Sequence, residues 1–224
     1  MKKILFIVTS AKKLGKKKTG VWFEELSTPY YLLSEKKIQV DIASPKGGKM
    51  PIEPLSLDNE KLPESVRKFQ KDLLAMKKIG RTKILSRMEF SKYDAIFFPG
   101  GHGAMVDLPE DEYLKENLGR FFESGKIIAA VCHGPAALVP AIKADGTSII
   151  SGRKITGFTD SEEVKAGGDK KVPFLLETKL KQLGGKFSCG ADFSEFAIRD
   201  ANLITGQNPQ SSKKCAELIL EALK

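Results

Sequence analysis

The sequence predicts an α/β sandwich built around a mostly parallel sheet. Three observations predict it: short β-prone runs that are almost wholly apolar, amphipathic helical stretches between them, and glycine-rich turns directly after two of the strongest runs. A strand covered on both faces reads as a continuous apolar run. Strands alternating with helices imply crossover connections and therefore parallel pairing. No repeat, linker or low-complexity stretch divides the chain, so residues 1–224 are read as a single domain with a large core.

The elements follow in order. Ile4 to Val8 reads as a buried first strand, followed by a basic loop over residues 10–19. Thr19-Gly20 opens a helix from Val21 to about Lys37, in which Trp22, Leu26, Tyr30 and Leu33 recur at helical spacing and Pro29 should introduce a kink. Gln39 to Ser44 is a second strand, turned by Pro45-Lys46-Gly47-Gly48. Met50 to about Asn59 is Pro-rich and reads as a loop with a short strand, and residues 62–77 as one amphipathic helix. Ala95-Ile96-Phe97-Phe98 is a third strong strand, ended by Pro99-Gly100-Gly101-His102-Gly103; residues 110–124 are helical, capped by Gly125. After the central strand at Lys126–Val131, short strands are expected at Ile149-Ile150 and Arg153–Thr156, and a helix capped by Thr159 or Asp160. A helix over Val172–Leu183 ends at Gly184-Gly185; strands at Lys186–Ser188, Ala197–Arg199 and Leu203–Thr205 precede a closing helix from Ser211 to Leu223.

Composition narrows the function classes. Hydrophobic content of 41% with 29% charged residues is that of an ordinary globular chain. The net charge of +9 raises nucleic-acid binding, but the basic residues are scattered and little interleaved with aromatics, so no nucleic-acid partner is expected. The densest run, Lys12-Lys13-Leu14-Gly15-Lys16-Lys17-Lys18, reads as a solvated loop. Cys132, Cys189 and Cys215 are odd in number and widely spaced, which favours a reducing cytoplasm over a disulfide framework. The first apolar run is too short for a signal peptide and no run reaches membrane-spanning length, so no membrane association is expected.

The stretch Ala129-Ala130-Val131-Cys132-His133-Gly134-Pro135 organises the chemistry. An apolar strand stops at Cys132, and Pro135 suits the first turn of a new helix. Strand, tight turn, helix start is the layout of a nucleophile elbow. Ala130 and Gly134 supply the small residues such a turn needs on either side of the nucleophile. A thiol there would face the positive end of a helix dipole, which favours thiolate. His133 is the adjacent candidate base. A buried inert cysteine, the usual fate of a free thiol, is the reading for Cys215 in the last helix; Cys189 also lacks an elbow context. The chain's second histidine, His102, also follows a strand in a glycine-rich turn and, with Gly100, is expected to line a substrate pocket. The N–H groups of Gly101 and His133 are candidates for an oxyanion hole. No metal-ligand spacing occurs, so no metal and no cofactor is expected.

Five motifs together carry a resemblance: Ala130–Pro135, Pro99–Gly103, Thr19-Gly20-Val21-Trp22-Phe23-Glu24-Glu25, Ile155–Asp160 and Ile204-Thr205-Gly206-Gln207-Asn208-Pro209. The chain resembles the PfpI-type, class I glutamine-amidotransferase-like superfamily over essentially its whole length, and most of all its branch of stress-inducible chaperones and glutathione-independent glyoxalases (glyoxalase III). The resemblance implies a flavodoxin-like three-layer sandwich, Cys132 as nucleophile and His133 as its partner. It maps a proton-exchanging acid to Glu25, with Glu24 the neighbouring alternative, and the acid orienting the histidine to Glu163, with Glu162 the alternative. It also implies a homo-oligomer, a dimer. True glutaminases carry their histidine far downstream of the cysteine; no histidine follows His133, so amide transfer is disfavoured.

The leading functional expectation is a glyoxalase that converts the small dicarbonyl methylglyoxal to lactate through a Cys132 hemithioacetal. Deglycase activity would use the same atoms on glycated substrates, and chaperone activity can coexist with either. The alternatives are an intracellular cysteine peptidase or amidase, and a non-enzymatic holdase or redox sensor.

Overall fold

The computed structural model describes residues 1–58 and 62–224. In chain order the elements are β1 (Lys3–Ile7), a small hairpin of β2 (Lys13–Leu14) and β3 (Lys17–Lys18), α1 (Phe23–Ser34), β4 (Gln39–Ser44), α2 (Glu64–Lys71), α3 (Leu73–Gly80), β5 (Lys83–Ile84), β6 (Ala95–Phe98), α4 (Ala104–Asp107), α5 (Glu112–Glu123), β7 (Ile127–Val131), β8 (Lys154–Ile155), α6 (Asp160–Lys165), α7 (Leu176–Gln182), β9 (Lys186–Phe187), β10 (Ala197–Asp200), β11 (Leu203–Gly206) and α8 (Ser212–Ala222). A seven-stranded sheet has the order β10-β11-β7-β6-β1-β4-β5. Every pairing in it is parallel except the hairpin of β10 with β11.

The apolar runs become the central strands because both of their faces are covered. Every residue of β6, β7 and β11 is buried, and parallel strands tolerate that pattern only beneath helices. Register then decides where the site sits. Phe98 pairs with Ala130 and Val131 with Gly206, so the carboxyl ends of β6, β7 and β11 finish level. The turn Pro99–Gly103, the elbow at Cys132 and the stretch Gln207-Asn208 therefore leave the sheet side by side. Helix α1 delivers its first turn to the same edge, since Trp22 N–H donates to Gly100 C=O at 3.1 Å. Pro29 lies inside α1 without ending it.

Several expectations are corrected. The helix expected over residues 62–77 is two helices, α2 and α3, broken at Asp72, whose backbone is extended (φ −83, ψ 101). Asp72 caps α3 by accepting from Leu74 N–H and Ala75 N–H, each at 3.0 Å, and takes the Tyr31 hydroxyl at 3.1 Å. Ile149-Ile150 forms a turn, and β8 pairs with β9 in a separate two-stranded sheet. The helix expected over Val172–Leu183 begins only at Leu176. The basic loop folds into the β2–β3 hairpin, and the edge strand β5 was not anticipated. In the Pro-rich loop a 3₁₀ turn runs over Pro54–Ser56, and Ile52 bridges to Val21; its expected last residue, Asn59, lies outside the described residues. Among the described residues, no helix is long and apolar enough to cross a membrane.

The break at Asp72 yields a test. Asp72→Ala removes the cap of α3 and the partner of Tyr31, and should lower unfolding stability by about 1 kcal/mol. At this chain length that is a melting shift of roughly 2–4 °C; an unchanged melting temperature would place the cause of the break elsewhere.

Candidate active site

Strand β7 runs straight into the elbow. Cys132 adopts φ +58, a left-handed conformation that a non-glycine residue holds only when its surroundings impose it. Here they do: Cys132 N–H donates to Gly206 C=O at 3.0 Å, and Phe158 N–H donates to Cys132 C=O at 2.9 Å. Gly134 is required next to it, because a Cβ there would run into the carbonyl oxygen of Phe98 at the end of β6. The chain then makes one 3₁₀ turn over Gly134–Leu138, not the α-helix expected from Pro135.

The turn aims the sulfur into a buried polar cluster. His133 Nδ1 lies 3.3 Å from Cys132 Sγ, and His133 Nε2 lies 2.6 Å from Glu163 Oε2. The other carboxylate oxygen, Oε1, lies 2.7 Å from His102 Nε2. Burial by itself would raise the Glu163 carboxyl, but the two histidine hydrogen bonds outweigh it and hold the group at about 2. An ionised carboxylate only accepts, so both Nε2 atoms carry hydrogen. The bare nitrogen of the neutral His133 ring is then Nδ1, turned to the thiol. The ring is packed between His102 and Phe158, with centroids 4.4 and 4.5 Å away. Burial, then the neighbouring His102, push the His133 ring below its ordinary value, which keeps it available as a base.

Glu25, from the first turn of α1, reaches the thiol from another direction. Its Oε2 accepts Gly100 N–H at 2.6 Å. The thiol stands against the same carboxyl, yet Oε1 has no partner of good hydrogen-bond geometry among the described residues. Burial raises the Glu25 carboxyl to about 8, so it is a neutral acid at pH 7. Burial, followed by Glu25, also pushes the Cys132 thiol well above its ordinary value, against the pull of Gly101 N–H. The helix start expected to favour thiolate is a short 3₁₀ segment, which supplies little dipole.

The paired acids are resolved. Glu25, not the half-exposed Glu24, is buried at the thiol. Glu163, not Glu162, meets the histidines. Glu162 turns away to close a capping box with Thr159 and accepts from Phe193 N–H, Gln207 Nε2 and Asn208 Nδ2 at 2.7, 3.1 and 2.9 Å. The N–H groups of Gly101 and His133 donate to no backbone carbonyl among the described residues, so both can serve an oxyanion. Gly100 N–H is taken by Glu25, and its C=O accepts from Trp22 N–H. His102 does line a pocket, a cavity of about 70 Å³ shared with Thr19, Glu53 and Lys171. A larger cleft of about 500 Å³ beside Phe90 and Tyr113 is lined by neither a cysteine nor a histidine. Cys215 is buried in the core and Cys189 is exposed.

Sequence reasoning passed over Phe158 as the wall of His133. It also passed over Gly168, where a Cβ would strike Glu163 Oε1; the Gly167-Gly168 pair after a short helix was the available signal. His102, His133 and Glu163 are compact enough to hold a metal ion, their ligand atoms lying within 4.8 Å of one another. Their 2.6 and 2.7 Å spacings are those of direct hydrogen bonds.

Comparison with known proteins gives consistent likenesses. The model of the DJ-1/PfpI family matches residues 18–222. A glutathione-independent glyoxalase of Schizosaccharomyces pombe is 32% identical over 219 residues, covering 91% of this chain and 87% of that protein. The crystal structure of glyoxalase III from Candida albicans superposes with a TM-score of 0.87 at 25% identity, covering 99% of this chain and 97% of that one. The Rapid Encystment Protein 24 kDa of Francisella tularensis superposes with a TM-score of 0.95 at 35% identity over 100% of both chains.

Buried Glu25 makes stability depend on pH. It keeps its proton in the folded chain up to about pH 8, but loses it in the unfolded chain near its ordinary 4.5. Folding therefore takes up a proton between these values, and stability falls as pH rises through that window. Glu25→Gln should be increasingly more stable than wild type from pH 5 to pH 8, read as melting temperature against pH. A difference that stays constant with pH would mean that Glu25 is ionised in the folded chain.

Proposed function

The chain belongs to the DJ-1/PfpI family, and from that premise we infer that it is a glutathione-independent glyoxalase that converts methylglyoxal to lactate with Cys132 as the nucleophile. The observation that carries this reading is the line Cys132 Sγ, His133, Glu163, met at the sulfur by the protonated acid Glu25. A protein thiol in that setting takes the place of the thiol that glutathione would otherwise supply. The curated relative in fission yeast carries the same activity in its name.

The chemistry follows from the protonation states. His133 Nδ1 takes the Cys132 proton while Glu163 holds the imidazolium. The thiolate adds to the aldehyde carbon. The N–H groups of Gly101 and His133 hold the oxyanion, which takes the proton back from His133 to give a hemithioacetal. His133 then removes hydrogen from the former aldehyde carbon while Glu25 protonates the ketone oxygen, giving an enediol. His133 returns its proton to the former ketone carbon, and Glu25 recovers one from the hydroxyl on the sulfur-bearing carbon. The product is a lactoyl thioester, with both groups restored. Water cleaves it to lactate and the free thiol through a second oxyanion in the same hole. Glu25 as acid and Glu163 as anion are two carboxyls driven to opposite states by their surroundings.

No observation favours the peptidase reading: Cys132 is 2% exposed, and the cavity that His102 borders, about 70 Å³, is too small for a polypeptide. Cytoplasmic residence, a homodimer and the absence of a nucleic-acid partner form part of the proposal. The first is supported by the free cysteines, and light scattering on purified protein checks the second.

The decisive assay measures methylglyoxal loss and lactate gain without glutathione. Cys132→Ala should abolish turnover. His133→Ala should lower kcat by about 10²–10⁴-fold. Glu25→Gln should slow the enediol step and leave thiol alkylation possible. Turnover retained in Cys132→Ala, or a preference for peptide anilides, would overturn the assignment.

A further inference from the structure

The catalytic sequence above gives His102 no part, yet its ring holds half of the carboxylate on which His133 depends. His102 Nε2 donates to Glu163 Oε1 at 2.7 Å, and His133 Nε2 donates to Oε2 at 2.6 Å. The rings are tilted by 40° with centroids 4.4 Å apart, and each donor takes a different oxygen of the one carboxylate. Gly168 closes over the pair, its N–H bonded to Glu163 C=O at 3.0 Å and its α-carbon leaving no room for a side chain above Oε1. The two histidines differ in one respect. The His133 side chain is 2% exposed, whereas that of His102 is 20% exposed and borders the solvent-open pocket.

We propose that His102 is a positioning residue that aims Glu163 at His133. Held by His102, the carboxylate cannot swing, so Oε2 remains on the Nε2–H of His133 and Nδ1 remains on the thiol. The cavity that His102 borders is also lined by Glu53, Lys17, Lys18 and Lys171.

This inference takes its triad from the glyoxalase reading, but its test reads the thiol directly. The rate of Cys132 alkylation by iodoacetamide is followed against pH, with peptide mass spectrometry separating Cys132 from the exposed Cys189. His102→Phe removes the donor; His102→Gln keeps one. Thermal melting of both variants confirms that they fold. His102→Phe should alkylate roughly tenfold or more slowly across the pH range, the usual scale for losing an outer hydrogen-bond partner of a site histidine. His102→Gln, which still offers a donor to Glu163, should recover most of the wild-type rate. Glyoxalase assays of the same proteins should place the His102→Phe loss in kcat, with KM little changed. Superimposable alkylation profiles would overturn the proposal, and so would equal losses in both variants at every pH. A loss confined to KM would make His102 a substrate contact instead. If wild type consumes no methylglyoxal but the alkylation profiles separate as stated, the functional reading fails and the role of His102 stands.

Discussion

One backbone conformation carries the site. Cys132 holds φ +58 because its N–H is tied to Gly206 and its C=O to Phe158. Those two hydrogen bonds come from different parts of the chain, β11 and the turn before α6. The strained residue is thus pinned by tertiary structure, and the strain itself throws the sulfur clear of the strand. The same turn sends His133 to the far side of the thiol, where Phe158 and His102 stack on it. Relaxing Cys132 into an ordinary conformation would separate sulfur, imidazole and the Gly101 and His133 N–H groups together.

Around this fixed point two carboxyls are held in opposite states within one buried space. Glu25 has one backbone donor and a thiol for company, and burial raises it to about 8. Glu163 has two imidazole donors, which overcome burial and hold it at about 2. Residue type does not set this difference; hydrogen-bond partners do. The consequence is one carboxyl placed to give a proton and one placed to hold a charged imidazole.

Much of this was legible in the chain. The continuous apolar runs marked the central strands to within a residue or two, since a strand buried on both faces has no other pattern. The small residues flanking Cys132 exposed the elbow, because steric crowding at a tight turn is a local requirement. Errors fell where local signals compete with distant ones. Residues 62–77 keep helical periodicity across Asp72, but the hydroxyl of Tyr31, far away in sequence, helps fix Asp72 as a cap. Ile149-Ile150 is apolar enough for a strand, yet it folds as a turn.

The sequence by itself determined the fold class, the elbow, and the thiol of Cys132 beside the imidazole of His133, because each rests on short-range patterning or adjacency along the chain. Tertiary structure alone decided which member of Glu24-Glu25 and of Glu162-Glu163 enters the site, which protons are held at rest, and that His102 shares a carboxylate with His133. The physical reason is that the direction of a side chain, its removal from water and its hydrogen-bond partners belong to the packed assembly of elements. Neighbouring glutamates look alike as text, and only the rotation of their helix against the sheet edge tells them apart.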